Sequence, residues 1–232
     1  AHDMWRGTLG GFDPTVKPLL MAWRDAAAVG RRPTDDELRL QRERVGFARL
    51  ILDREHRTVT MPPGGSLDLG GISKGWILDR CAAAIGHRWT GILGYGESSW
   101  IAVGPVKVND PVHTVALRHP KDPLRVHERI TLRPGQALGC SASDGRVFEI
   151  GGRRFSHLID PRTGEPGPLG RSATVIAPSA AQADGLDNAL CLMDAEAAMA
   201  LVKSLPGVEA SLWDGESFHR SAGWPGVAEP MP

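Results

Sequence analysis

Asp184, Asp187 and Asn188 stand three and four residues apart in the run Ala183-Asp184-Gly185-Leu186-Asp187-Asn188-Ala189-Leu190, so on a helix their oxygens share one face. Two carboxylates and an amide oxygen form a hard-oxygen set. Such a set suits Mg²⁺, which takes few protein ligands and completes its shell with water or phosphate oxygens. The plainer alternative is a solvated polar face; the apolar neighbours Ala189, Leu190 and Leu192 weigh against it. A second candidate is Asp68-Leu69-Gly70-Gly71-Ile72-Ser73-Lys74-Gly75. Glycines at a helix start let backbone amides approach an anion such as phosphate, and Lys74 adds a point charge in the first turn. The run is neither a GxGxxG nor a Walker sequence, and taken alone a tight loop-to-helix turn is the more ordinary explanation. His157, in Ser156-His157-Leu158-Ile159-Asp160-Pro161, falls near a strand end, where an imidazole that titrates near neutrality can act as a general base or simply pack. In Gly10-Gly11-Phe12-Asp13-Pro14, Asp13 reads as the cap of a helix that starts at Pro14.

The elements that must position these residues follow from periodicity and breakers. Helices are expected over Pro14–Ala28, with Val16, Leu19, Leu20 and Trp23 on one face, and from Asp35 to about Arg44, where Thr34 and Glu37 have capping-box spacing. Strands are expected at Arg49–Leu52 and Arg57–Met61, then a helix from about Ser73 to Ala84 stopped by Gly86. From Gly91 to Phe155 the chain reads as short strands, with a hairpin turn at Gly151-Gly152. A buried strand at Ala173–Ala177 leads into a helix opened by Ser179, then one capped by Asp194, then a hairpin turning at Asp214-Gly215. Strands in a meander with interspersed helices predict an α+β domain with mixed, mainly antiparallel sheets.

Composition excludes several classes. Basic and acidic residues number 27 each, which argues against a nucleic-acid partner held by bulk charge. No apolar run approaches the ~18 residues of a membrane helix. Cys81, Cys140 and Cys191 form no CxxC or Cys/His cluster, and Cys81 and Cys191 read as buried free thiols.

Taken together, GGFDPTVKPLLMAW, DLGGISKGWILD, GESSWIAVG, FEIGGRRFSHLIDPRTGEP and TVIAPSAAQADGLDNAL, in this order between Gly10 and Leu205, resemble the ApbE-type FAD:protein FMN transferases. The resemblance implies one domain over 1–232, without the segment that precedes GGFDPTV in the family. It implies Mg²⁺-dependent transfer of FMN from FAD to a Ser or Thr hydroxyl of an acceptor flavoprotein, with release of AMP. It places Gly11, Phe12, Asp13, Asp68, Lys74 and Ile159 at the FAD site. The metal site would use the carbonyl of Gly71 with Asp184, Asp187 and Asn188, the last standing where the family has threonine. Catalysis would use His157 as base. An FAD pyrophosphatase, or a flavin binder without transfer, remains open. Family members are commonly exported and lipid-anchored; no export signal stands in this sequence, and the compartment is left open. GYGESSW replaces the family's more common Asn-Leu-Gly-Gly stretch, and Gly139–Gly145 departs from its usual Thr-Ser-Gly-Asp-Tyr pattern.

Overall fold

Local signals set most element boundaries in the computed structural model, which describes residues 1–104 and 113–228. A short helix α1 (His2–Gly7), not expected from the sequence, precedes α2 (Lys17–Ala28). The second helix therefore starts three residues later than expected, with Pro18 in its first turn. Asp13 does not cap it. Asp13 instead accepts from Thr15 N–H (2.8 Å), Thr15 Oγ1 (2.6 Å) and Phe47 N–H (3.0 Å), which holds a turn and ties two loops together. Helix α3 (Asp35–Arg42) carries the expected capping box, with Thr34 and Glu37 bonded reciprocally. A 3₁₀ turn at Phe47–Arg49 displaces the next strand to β1 (Ile51–Asp53), paired with β2 (Thr58–Thr60).

Next come α4 (Ser73–Ile85), β3 (Gly91–Tyr95) and β4 (Ser99–Val103). They are followed by β5 (His113–His119), β6 (Asp122–Leu132) and β7 (Ala137–Ala142). At eleven residues β6 is no short strand, and its pairing with β5 absorbs register shifts at Leu117–His119. Positions 105–112 of the expected strand region lie outside the described residues. The hairpin β8 (Val147–Ile150)–β9 (Arg153–Ser156) turns on Gly151 and Gly152, both at positive φ, as a two-residue turn requires. Beyond it lie β10 (Ser172–Ala177), α5 (Ala180–Cys191), α6 (Ala195–Ser204), β11 (Glu209–Trp213), β12 (Phe218–Arg220) and β13 (Val227–Ala228). Ser179 caps α5 by accepting from Gln182 N–H, whereas the Asp194 side chain makes no cap bond to α6. No helix among the described residues is long and apolar enough to cross a membrane.

The chain forms two compact units, Ala1–Gly71 with Ser143–Leu169, and Ile72–Ala142 with Gly170–Pro232. In the first, Leu19 and Trp23 of α2 pack with Leu38, Ile150 and Ile159, and the Trp23 indole donates to the carbonyl of Gly164 (2.9 Å). The second unit is built on an antiparallel sheet ordered β12-β11-β10-β7-β4-β3, beside a three-stranded sheet β13-β6-β5. Helix α5 lies against β7 and β10 with nine of its twelve residues buried, because small and apolar residues occupy nearly its whole circumference. These are the mixed antiparallel sheets and helices of an α+β fold. Cys81 is exposed, contrary to expectation, because the inward face of α4 runs through Gly75, Leu78 and Ala82, and Cys81 stands off its edge.

Candidate functional site

Helix α5 carries Asp184 and Asp187 into the second unit, each only 2% exposed. Asp184 Oδ1 accepts from Ser99 Oγ (2.7 Å) and Oδ2 from the Gly75 N–H (2.6 Å). The start of α4 has no local side-chain cap, so a carboxylate 109 residues away caps it. The arrangement is reciprocal: Asp79 of α4 accepts from Ala180 N–H (2.7 Å) and Ala181 N–H (3.0 Å) at the start of α5.

Such close packing needs Gly75. A Cβ there would lie 2.1 Å from the carbonyl oxygen of Ala180 and 2.5 Å from the nitrogen of Ala181, neither of which can swing aside. Gly75→Ala is expected to cost at least ~3 kcal/mol, the upper end of overpacking penalties. Thermal denaturation checks this; a variant that melts with the parent would show that the helices spread without penalty.

Asp187 Oδ1 accepts from Ser141 Oγ (2.9 Å) and Asn188 Nδ2 (2.8 Å), and Asn188 Nδ2 also donates to the carbonyl of Asp184 (2.9 Å). Gly139 of β7 lets that strand lie against the carboxylate, since a Cβ there would come within 2.9 Å of Asp187 Oδ2. Burial raises the Asp184 carboxyl above its ordinary range, against the hydrogen bonds from Ser99 and Gly75 and the charge of Lys74. Burial raises Asp187 well above it, and the charge of Asp184 adds to the effect. Lys74, in the first turn of α4, donates to Ser98 Oγ, and its charge acts on both carboxylates.

Burial disfavours charge on both carboxylates, and a cation placed between them would favour their ionised forms. The donors fit Mg²⁺, which needs only one or two protein carboxylates when phosphate oxygens complete the shell. Among the described residues no cluster of three or more His, Cys, Asp or Glu is placed to hold a metal by itself. The Asn188 nitrogen is committed to two acceptors, which leaves its Oδ1 as the donor to a cation.

The first unit holds the other expected residues. Phe12, between Gly11 and Asp13, is buried, and its N–H donates to Thr8 Oγ1 (2.9 Å). The Asp68 N–H donates to the carbonyl of Pro14 (2.7 Å), so the Asp13 and Asp68 loops are neighbours. Asp68 Oδ1 accepts from the Gly70 N–H (2.7 Å), and Gly71 is the last residue of this part of the unit. Strand β9 ends at Ser156, so strand alternation does not reach His157 and Ile159. The Ile159 side chain belongs to the core.

His157 is partly buried, and its Nδ1 lies 2.9 Å from the carbonyl of Arg146. A carbonyl only accepts, so Nδ1 carries the proton and Nε2 the lone pair. Burial lowers the imidazole pKa, the Arg146 charge acts the same way, and the bond to the carbonyl opposes both. A neutral ring with an open Nε2 can accept a proton. Burial pushes the Cys140 thiol up to about 12 and raises Cys191 too, so neither is a nucleophile at neutral pH.

The sequence reading missed Ser98, Ser99, Ser141 and Asp79. The serines lie in stretches that depart from the family pattern, which was the available signal.

Known proteins resemble the chain in sequence and in fold. The chain is 29% identical over 225 residues to a FAD:protein FMN transferase of Klebsiella pneumoniae, with 91% of this chain and 62% of the relative covered. It is 32% identical to one of Vibrio cholerae, covering 85% and 60%. The chain therefore spans about 60% of the length of these relatives. A crystal structure of an ApbE protein from Thermotoga maritima superposes with a TM-score of 0.81 at 29% identity, over 95% of this chain and 72% of that one. The flavin transferase ApbE from Vibrio cholerae gives 0.72 at 26% identity, over 96% and 72%. The ApbE family model matches residues 1–212, a span that includes α5 with its two carboxylates and the His157 loop, and the chain belongs to the ApbE family.

Proposed function

We propose that the protein transfers FMN from FAD to a Ser or Thr hydroxyl of an acceptor protein, with Mg²⁺ as cofactor and AMP as the second product. The observation that carries this reading is the buried Asp184–Asp187 pair beside Lys74, a hard-oxygen site whose ionised form a cation would favour. The relatives, FAD:protein FMN transferases by name, support the substrate class.

Asp184, Asp187 and the Asn188 Oδ1 would hold Mg²⁺, and the resemblance adds the Gly71 carbonyl. When bound, the cation neutralises charge on the pyrophosphate. Lys74 supports the phosphate oxygens as a point charge. The resemblance assigns flavin contacts to Gly11, Phe12, Asp13, Asp68 and Ile159; with the Ile159 side chain in the core, its main chain is the part left for that role. His157 Nε2 takes the proton from the incoming hydroxyl, and the Arg146 carbonyl keeps the ring in the tautomer that permits this.

Incubation with FAD, Mg²⁺ and a candidate acceptor tests the reading. The acceptor should gain one FMN as AMP appears, and a chelator should stop both. Free FMN with an unmodified acceptor would instead mark a pyrophosphatase, and unchanged FAD would overturn the reading.

Asn188→Thr tests the metal set. A threonine hydroxyl can donate to the Asp184 carbonyl, so one of two hydrogen bonds survives. The lost bond is expected to cost about 1 kcal/mol. Mg²⁺ affinity by calorimetry should stay within about tenfold of the parent, a 1.4 kcal/mol margin; a larger fall would show that the amide oxygen is required.

A further inference from the structure

The turn between β3 and β4 brings two hydroxyls to the edge of the carboxylate pair. Ser98 is partly exposed and its Oγ accepts from Lys74 Nζ. Ser99 is wholly buried and its Oγ donates to Asp184 Oδ1 (2.7 Å), while the two serine oxygens lie 3.5 Å apart. A hydroxyl has one hydrogen and two lone pairs. Ser99 spends its hydrogen on Asp184, so in the contact between the serines Ser98 is the donor. One Ser98 lone pair meets the lysine, and the other remains open. Ser98 is thus an oriented, accessible hydroxyl beside the residues proposed to hold a pyrophosphate. It stands in GYGESSW, where the more common Asn-Leu-Gly-Gly stretch has no hydroxyl.

We propose that Ser98 is itself an FMN acceptor, so that the protein flavinylates its own chain. This rests on the reading of the chain as an FMN transferase. In the step, Ser98 Oγ forms a bond to the phosphorus on the FMN side of FAD, and the bridging P–O bond to the AMP phosphate breaks. The hydroxyl proton leaves with the AMP phosphate. The product is a phosphodiester between FMN and Ser98; no electrons change hands and no other reactant is needed.

The test is to incubate the full chain with FAD and Mg²⁺ without an acceptor. Flavin fluorescence on a denaturing gel, peptide mass spectrometry and AMP release are then read from the same samples. Expected are one FMN per chain at Ser98, with AMP in equal amount. Ser98→Thr should keep the adduct, and Ser98→Ala, melting as the parent does, should lose it. Labelling of an added acceptor with Ser98 unmodified overturns self-flavinylation and leaves the transferase reading intact, whereas AMP and free FMN with neither Ser98 nor an acceptor modified overturn both and mark a pyrophosphatase. An adduct at Ser99, or one that persists in Ser98→Ala, also overturns it. If neither AMP nor any adduct forms with or without an acceptor, the transferase reading fails and this proposal with it.

Discussion

Asp184→Asn is expected to remove Mg²⁺-dependent flavin transfer while the protein stays folded. Asparagine is the right substitution because Asp184 has two duties. Its carboxylate accepts from the Gly75 N–H at the start of α4 and from Ser99 Oγ. Alanine would leave both donors buried without partners, each at ~1–3 kcal/mol, and the resulting loss of fold would mask any loss of metal. In asparagine, Oδ1 can take the Gly75 N–H and Nδ2 can donate to Ser99, whose hydroxyl rotates to accept. The charge is what disappears. It is one of the two carboxylates proposed to hold the cation, so Mg²⁺ affinity should fall by more than the ~10–100-fold lost with a merely supporting group. The variant also relieves the repulsion that helps raise Asp187, which offsets part of any packing loss. Melting temperature without Mg²⁺ should therefore stay close to that of the parent. Calorimetry with Mg²⁺ alone, without FAD, decides the matter: equal affinity in parent and variant would remove Asp184 from the metal set.

How far the sequence could be read depends on how far apart the interacting groups lie along the chain. The Thr34–Glu37 capping box, the Gly151-Gly152 turn and the Ser179 cap are contacts within three residues, and each stands where spacing placed it. Asp13 misled for the opposite reason. Its bonds from Thr15 are local and hold a turn, but its third partner, Phe47 N–H, is 34 residues away and no spacing rule reveals it. The reciprocal capping of α4 and α5 spans about a hundred residues, so the sequence showed one polar helix face at Asp184–Asn188 where the fold shows two helices completing each other's ends. Asp184 and Asp187 had both a solvated and a buried reading. The deciding signal was already in the sequence as Ala180, Ala183, Gly185, Leu186, Ala189 and Leu190, small or apolar residues on every side of α5. The helix α1 escaped notice because six residues, under two turns, without a side-chain cap carry no periodic signal. Strand β6 looked fragmented because Pro123 and several charged residues interrupt it, although its Cα partners run from Asp122 to Leu132.

His157→Asn is expected to slow flavin transfer at least ~100-fold, the usual worth of a positioned base, while the binding of FAD and Mg²⁺ is retained. Asparagine Nδ2 occupies nearly the place of imidazole Nδ1, so the hydrogen bond to the Arg146 carbonyl can persist after the lone pair at Nε2 is gone. That separates the chemical role from the structural one. The pH dependence makes a second separation. Burial, with the charge of Arg146, holds the folded pKa of His157 below the ordinary 6.5, so the native state resists a proton that the unfolded chain takes up. Below pH 6.5 the unfolded state binds more protons at this position than the folded state, and stability must fall with pH through that window until the folded pKa is passed. The parent carries this loss and His157→Asn does not, so any stability gap in favour of the parent should narrow on acidification. For the rate, the same lowered pKa keeps Nε2 free of its proton well into mild acid, so the acid limb of transfer in the parent should lie below 6.5. The variant should lose the height of the profile together with this limb. If His157 only packs at the strand end, the variant will instead melt earlier and turn over at the parental rate per folded molecule, with the acid limb unmoved. Melting temperature, FAD affinity and the pH–rate profile, measured on one preparation, distinguish the two outcomes, and a parental rate with the limb in place would remove His157 from the role of base.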